Sequence, residues 1–169
     1  MMNTIQTCDP PLLHGIPQAA AMLHGSAACP GLHGLVRFYP AQHGVLVYAD
    51  ISGLPSAADG CGGEIFGFHI HAGSACTGDD GDPFADAGGH LDTAHCPHPF
   101  HAGDMPPLFG NDGRAVSVFL TNRFTIGEVL GRAVIVHSSP DDLRSQPGGN
   151  SGERIACGII TPVRRSRCR

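Results

Sequence analysis

Glycine and proline interrupt this chain so often that no long helix fits between them. Of 169 residues, 24 are Gly and 14 are Pro, and each costs a helix interior about 1 to 3 kcal/mol. A helix bundle is therefore excluded. The stretches that remain are short, apolar and bounded by turn residues, as half-buried strands are. Ala20–His24, Leu35–Tyr39, Val45–Ile51, Ile65–His71, Arg114–Thr121, Arg132–His137 and Arg154–Thr161 read as strands, with a hairpin split by Pro40 and Gly44. Thr125–Leu130 reads as a short helical turn or an irregular crossover. About seven short strands without long helices predict an all-β sandwich or barrel. Residues 1–18 read as an N-terminal tail, 19–163 as one domain and 164–169 as a basic C-terminal tail. Between Ala72 and Asp112 lies a long stretch with little β pattern, and a loop of that length inside a compact domain is usually functional.

Charge narrows the function. The formal net charge is −5, and every one of the 10 Lys+Arg residues is Arg. Arg164, Arg165, Arg167 and Arg169 lie at the very end, so the body is more acidic than the whole. It offers no basic face for nucleic acid. No apolar run approaches the length of a membrane-spanning helix. The first residues lack the cationic start and apolar run of a secretory signal, which predicts a cytoplasmic protein, or a periplasmic or extracellular one if a signal was removed. Seven Cys are an odd number, so at least one is unpaired within the chain.

Histidine carries the chemistry. In IFGFHIH the period is two: Phe66, Phe68 and Ile70 share a face that suits the core, and His69 and His71 share the other, about 7 Å apart along the strand. Two imidazoles on a rigid strand can converge on a metal. The long loop adds His90, His95, His98 and His101, with Asp104 three residues further on. Pro97 and Pro99 exclude a helix there, so the loop folds around whatever it binds. Three nitrogens and one carboxylate oxygen suit tetrahedral Zn²⁺.

The runs GFHIHAGSAC, GGHLD, HAGDMP, VIVHSSPDDL and GNSGERIACGII, in this order, resemble the copper-zinc superoxide dismutases of bacterial type. The resemblance spans about Ala20 to Pro162. It implies an eight-stranded Greek-key β-barrel or sandwich with a long metal-binding loop and a second loop that guides substrate. It implies one copper and one zinc per chain: copper on His69, His71, His90 and His137, and zinc on His90, His98, His101 and Asp104, with His90 bridging. His95 competes with His98 for the zinc position. Asp141 resembles the carboxylate that links ligands of both sites, Cys76 and Cys157 the family's disulfide, and Arg154 the arginine beside copper. The family's dimers imply a homodimer.

Two departures stand out. The loop is shortened before His101. The guiding segment, Ser138 to Gly152, is shortened too and has Arg144 as its only cation, so attraction of an anion must rely on other arginines such as Arg114 or Arg123. Asp79, Asp80, Asp82 and Asp86 read as a solvated acidic stretch that does not help. The expected activity is disproportionation of superoxide through Cu(II)/Cu(I) cycling, with His90 exchanging a proton and zinc in a structural role. A non-catalytic copper/zinc delivery or storage module is the alternative. A mononuclear zinc hydrolase lacks a clear general base.

Overall fold

A computed structural model describes residues 15–56 and 64–164. They form β1 (Ala19–Gly25), β2 (His33–Ala41), β3 (Gly44–Ser52), β4 (Ile65–Phe66), β5 (Phe68–His71), β6 (Leu108–Phe109), β7 (Arg114–Thr121), α1 (Ile126–Val129), β8 (Ala133–His137), β9 (Arg154–Ile159) and β10 (Thr161–Pro162). Eight strands make one curled antiparallel sheet, ordered β5-β8-β9-β1-β2-β3-β7, with β10 beside β1. β4 and β6 form a separate short ladder. Strands distant in sequence are sheet neighbours at β5-β8, β9-β1 and β3-β7, giving a Greek-key half-barrel. Most of the tails fall outside the described residues, as do Cys8, Cys61, Cys168 and His14. Among the described residues no helix is long and apolar enough to cross a membrane.

Alternation places the core as the sequence predicts. Val36 and Phe38 of β2, Val47, Ala49 and Ile51 of β3, Phe68 and Ile70 of β5, and Val134 and Val136 of β8 fill one interior. β8 is buried on both faces. Its outward Ala133 and Ile135 pack with Phe84, Ala87 and Cys157 in a second, smaller cluster. That cluster seats the loop after β5 on the outside of the sheet, and the Cys76–Cys157 disulfide ties the same loop to β9. Closing a separation of 81 residues stabilises the fold by about 4 kcal/mol in the chain-entropy account. Among the described residues, Cys29 and Cys96 are free thiols.

Three expectations change in detail. Ile65–His71 is two strands, because the chain switches ladders at Gly67. A Cβ there would lie 2.8 Å from the Ser151 Cβ, and the Gly67 N–H donates to Ser139 O. The last strand likewise breaks after Ile159. The stretch from Ala72 to Asp112 contains a 3₁₀ turn at Ala85–Ala87 and the short β6. Thr125–Leu130 holds α1, closed by a reciprocal Thr125–Glu128 capping box.

The long loop is fastened to one residue of β5. The Ile70 N–H donates to Gly103 O, the Leu91 N–H donates to Ile70 O, and the Gly103 N–H donates to Leu91 O. These bonds bring His90 opposite His71 and Asp104 opposite His69. The approach needs glycine, since a Cβ on Gly103 would lie 2.1 Å from Ile70 O. Gly103→Ala is expected to lower stability by about 2 kcal/mol in urea unfolding, whereas Gly31→Ala, where a Cβ meets nothing within 4 Å, leaves the midpoint within error.

Candidate metal centre

The outer face of β5 and β8 carries the first side chains of the site. His69 and His71 project from β5 opposite Phe68 and Ile70, and His137 ends β8 at a register shift where it pairs with Arg154. Such a bulge re-aims a side chain. The loops bury this face: His69 is 0% and His71 1% exposed. His90, His98, His101 and Asp104 come from the loop fastened to Ile70. His95 is exposed and stands apart from both groups of potential ligands.

Two ligand sets result. His69, His71, His90 and His137 offer one atom each, all within 4.8 Å of one another, and so do His90, His98, His101 and Asp104. His90 is common to both. Its Nδ1 lies 2.7 Å from Asp104 Oδ1, so its Nε2 is the atom left for the first set.

Hydrogen bonds orient each ring. The His71 Nδ1–H donates to Gly88 O at 2.8 Å and the His137 Nδ1–H donates to Gly152 O at 3.3 Å. The two Nε2 atoms then carry lone pairs and face each other at 3.2 Å. Asp141 accepts from His69 Nε2–H at 2.7 Å and from His98 Nε2–H at 2.9 Å. The opposite nitrogens, His69 Nδ1 and His98 Nδ1, are buried without a hydrogen-bond partner, as is His101 Nδ1. His98 Nδ1 and His101 Nδ1 lie 3.1 and 3.4 Å from Asp104 Oδ2. Ligands on a tetrahedral ion at 2.0–2.1 Å are separated by about 3.3 Å.

Charge agrees with this geometry. Burial is the main cause that pushes the pKa of His71 down to about 2 and that of His137 to about 3, and it depresses His69 as well. All three rings are neutral near pH 7, the form that binds a metal. Burial alone would raise the pKa of Asp141. The hydrogen bonds from His69, Leu143 N–H and His98 outweigh it and hold the carboxyl well below its usual range. Asp104 is lowered in the same way, mainly through His90. Buried lone pairs that face one another, beside anionic carboxylates, fit two cations: an all-nitrogen site and an N₃O site.

Arg154 is half-buried at the edge of the first set. Its Nη2–H donates to Gly88 O, the carbonyl that also holds His71, and its Nη1–H donates to Phe84 O. Neither of the other candidate arginines reaches this site as a free cation. Arg114 is paired with Asp50 on the opposite side of the sheet. Arg123 is turned inward to the carbonyls of Pro99, His101 and Asp104. Arg144 is exposed. The acidic stretch is not all solvated: Asp79, Asp80 and Asp86 are exposed, but the Asp82 carboxylate lies 2.8 Å from Arg154 Nη1. Sequence reasoning also missed the positioning work of Arg123 and of Gln146. The Gln146 side chain accepts from the His98 N–H and donates to His98 O. Neither carries a local sequence signal, since each acts on a loop distant along the chain.

Comparison with known proteins agrees with this arrangement. The family described as copper/zinc superoxide dismutase matches residues 32–160. The chain is 34% identical over 148 residues to a Cu-Zn superoxide dismutase of Deinococcus radiodurans, covering 77% of this chain and 78% of that protein. It is 36% identical over 141 residues to one of Escherichia coli, covering 75% and 78%. Its fold is similar to that of the Cu/Zn superoxide dismutase from Brucella abortus, with a TM-score of 0.70 and 26% identity over 84% of this chain and 99% of the other. With the motifs in order, the barrel in register and both ligand sets assembled, the chain belongs to the copper/zinc superoxide dismutase family.

Proposed function

We propose that this protein is a superoxide dismutase that converts two superoxide ions and two protons into dioxygen and hydrogen peroxide. The observation that carries this reading is the pair of ligand sets sharing His90, one suited to a redox ion and one to a structural ion. Bound copper supplies the one-electron redox change, which zinc does not have. His69, His71, His90 and His137 would hold the copper, and His90, His98, His101 and Asp104 would hold the zinc.

The side chains then divide the work. Arg154 stands at the open edge of the first set and orients the anion there with its remaining N–H donors. His90 Nε2 takes up and returns a proton while Nδ1 stays fixed beside Asp104. Asp141 holds the tautomers of His69 and His98, so both keep an unprotonated nitrogen for a metal. A delivery or storage module needs the ligands but has no use for Arg154 at their edge.

Two further parts of the reading concern surroundings. The Cys76–Cys157 disulfide is of a kind that persists in oxidising compartments, which favours the periplasm or exterior over the cytoplasm. Val116, Val118 and Leu120 lie exposed along one face of β7 and support self-association into a homodimer. Light scattering on the metal-loaded protein should give twice the chain mass.

Copper- and zinc-loaded protein is expected to remove superoxide, and His69→Ala and His137→Ala to abolish this. Loaded protein without activity would refute the enzyme reading. Asp141→Asn should weaken retention of both metals by about 10- to 100-fold in chelator competition. Metal-free protein should lose stability on acidification. His71 and His137 bind protons in the unfolded chain below about pH 6.5 but only near pH 2 to 3 when folded. The unfolded state therefore gains protons first as pH falls, and urea unfolding should show about 4 kcal/mol less stability at pH 5 than at pH 7.5.

A further inference from the structure

Asp82 stands beside Arg154, and its position is fixed by the fold. The Asp79 carboxylate accepts from the Gly81 and Asp82 N–H groups. Asp82 O accepts from the N–H groups of Asp79 and Ala85. One carboxylate oxygen of Asp82, Oδ1, accepts from the Phe84 N–H. Phe84 is anchored in the outer hydrophobic cluster with Cys157, and the disulfide pins the same loop. The second oxygen, Oδ2, is left facing Arg154 Nη1 at 2.8 Å.

This contact changes what Arg154 offers. A guanidinium has five N–H donors. The Nη1 edge is occupied by Phe84 O and Asp82, and one Nη2–H by Gly88 O. Among the described residues, the Nε–H and the other Nη2–H have no protein acceptor. The group is therefore aimed, with a defined pair of donors left for a small anion. It is also nearly neutral as a unit, because the carboxylate cancels its charge at contact distance. The surroundings do not restore that charge: Asp79, Asp80 and Asp86 are exposed in the same loop as Asp82, and in the loop from 138 to 152 Arg144 is the only cation, beside the exposed Asp142.

We propose that Asp82 is a positioning residue for Arg154: it fixes the guanidinium and offsets its charge, so that the site binds anions weakly and recruits superoxide with little long-range attraction. This rests on the superoxide dismutase reading. It also gives the acidic stretch a purpose, since weak anion binding protects an open metal site from bystander anions such as phosphate.

The test compares wild type, Asp82→Asn and Asp82→Glu in the copper- and zinc-loaded protein. Modification of Arg154 by phenylglyoxal, mapped by mass spectrometry, reports how free the guanidinium is. Azide titration followed by the copper absorption band reports anion affinity. For Asp82→Asn, modification should be faster and azide binding tighter, each by about fivefold. Its superoxide rate constant should rise and become sensitive to added salt, while that of wild type varies little with salt. Asp82→Glu should stay near wild type. Unchanged Arg154 reactivity and azide affinity in Asp82→Asn would overturn the proposal, as would weaker azide binding, which means that the carboxylate only supports the loop. Inactive wild type in which Arg154 reactivity still depends on residue 82 would refute the enzyme reading and leave the clamp standing.

Discussion

The Asp141 carboxylate accepts an N–H from one imidazole in each ligand set, His69 at 2.7 Å and His98 at 2.9 Å. Much of the centre depends on that double acceptance. It fixes which nitrogen of each ring is protonated, and so which nitrogen turns inward. It also couples the sets mechanically: a shift of the loop bearing Asp141 moves a ligand of both. The carboxylate is itself held by the Leu143 N–H, so its aim comes from the turn around it.

Burying so many polar rings is costly unless each nitrogen has a partner. Here one nitrogen of each ring on the strands finds a carboxylate or a carbonyl, and the other points at a shared volume. Without a cation, the Nε2 atoms of His71 and His137 oppose lone pair to lone pair at 3.2 Å. Metal binding removes that conflict and stabilises the loop. The fold supplies the rigid half of the arrangement. β8 is buried on both faces, with the barrel core beneath it and the disulfide-tied loop above, so His137 and its neighbours on β5 have little freedom to move apart. The loop, by contrast, is held at Ile70 through its backbone and at Pro99, His101 and Asp104 through Arg123.

The strands were legible because alternation is local. Phe68 and Ile70 against His69 and His71 announce two faces within four residues, and the structure puts them there. The ligands were legible only through motif order, since His90 and His137 lie on separate segments that spacing alone cannot bring together. The Pro97 and Pro99 that frame His98 favour it over His95 as the zinc ligand, and folding shows why: His98 turns in while His95 stays in solvent. The positioning roles of Arg123, Gln146 and Asp82 carry no local signal, because each acts through a distant backbone group or a distant charge. For Asp82 there is a further reason: an acidic stretch is usually solvated, and nothing local reveals that one of its carboxylates meets an arginine of β9.

The central claim is that one chain builds two linked metal sites of different character. Titrating the metal-free protein with copper and zinc, with metal content and the copper electron paramagnetic resonance spectrum read at each point, tests it most directly. The account predicts saturation at one copper and one zinc per chain, with nitrogen-coordinated copper whose spectrum changes when zinc fills the neighbouring site. A single metal per chain, or zinc alone at saturation, would contradict it.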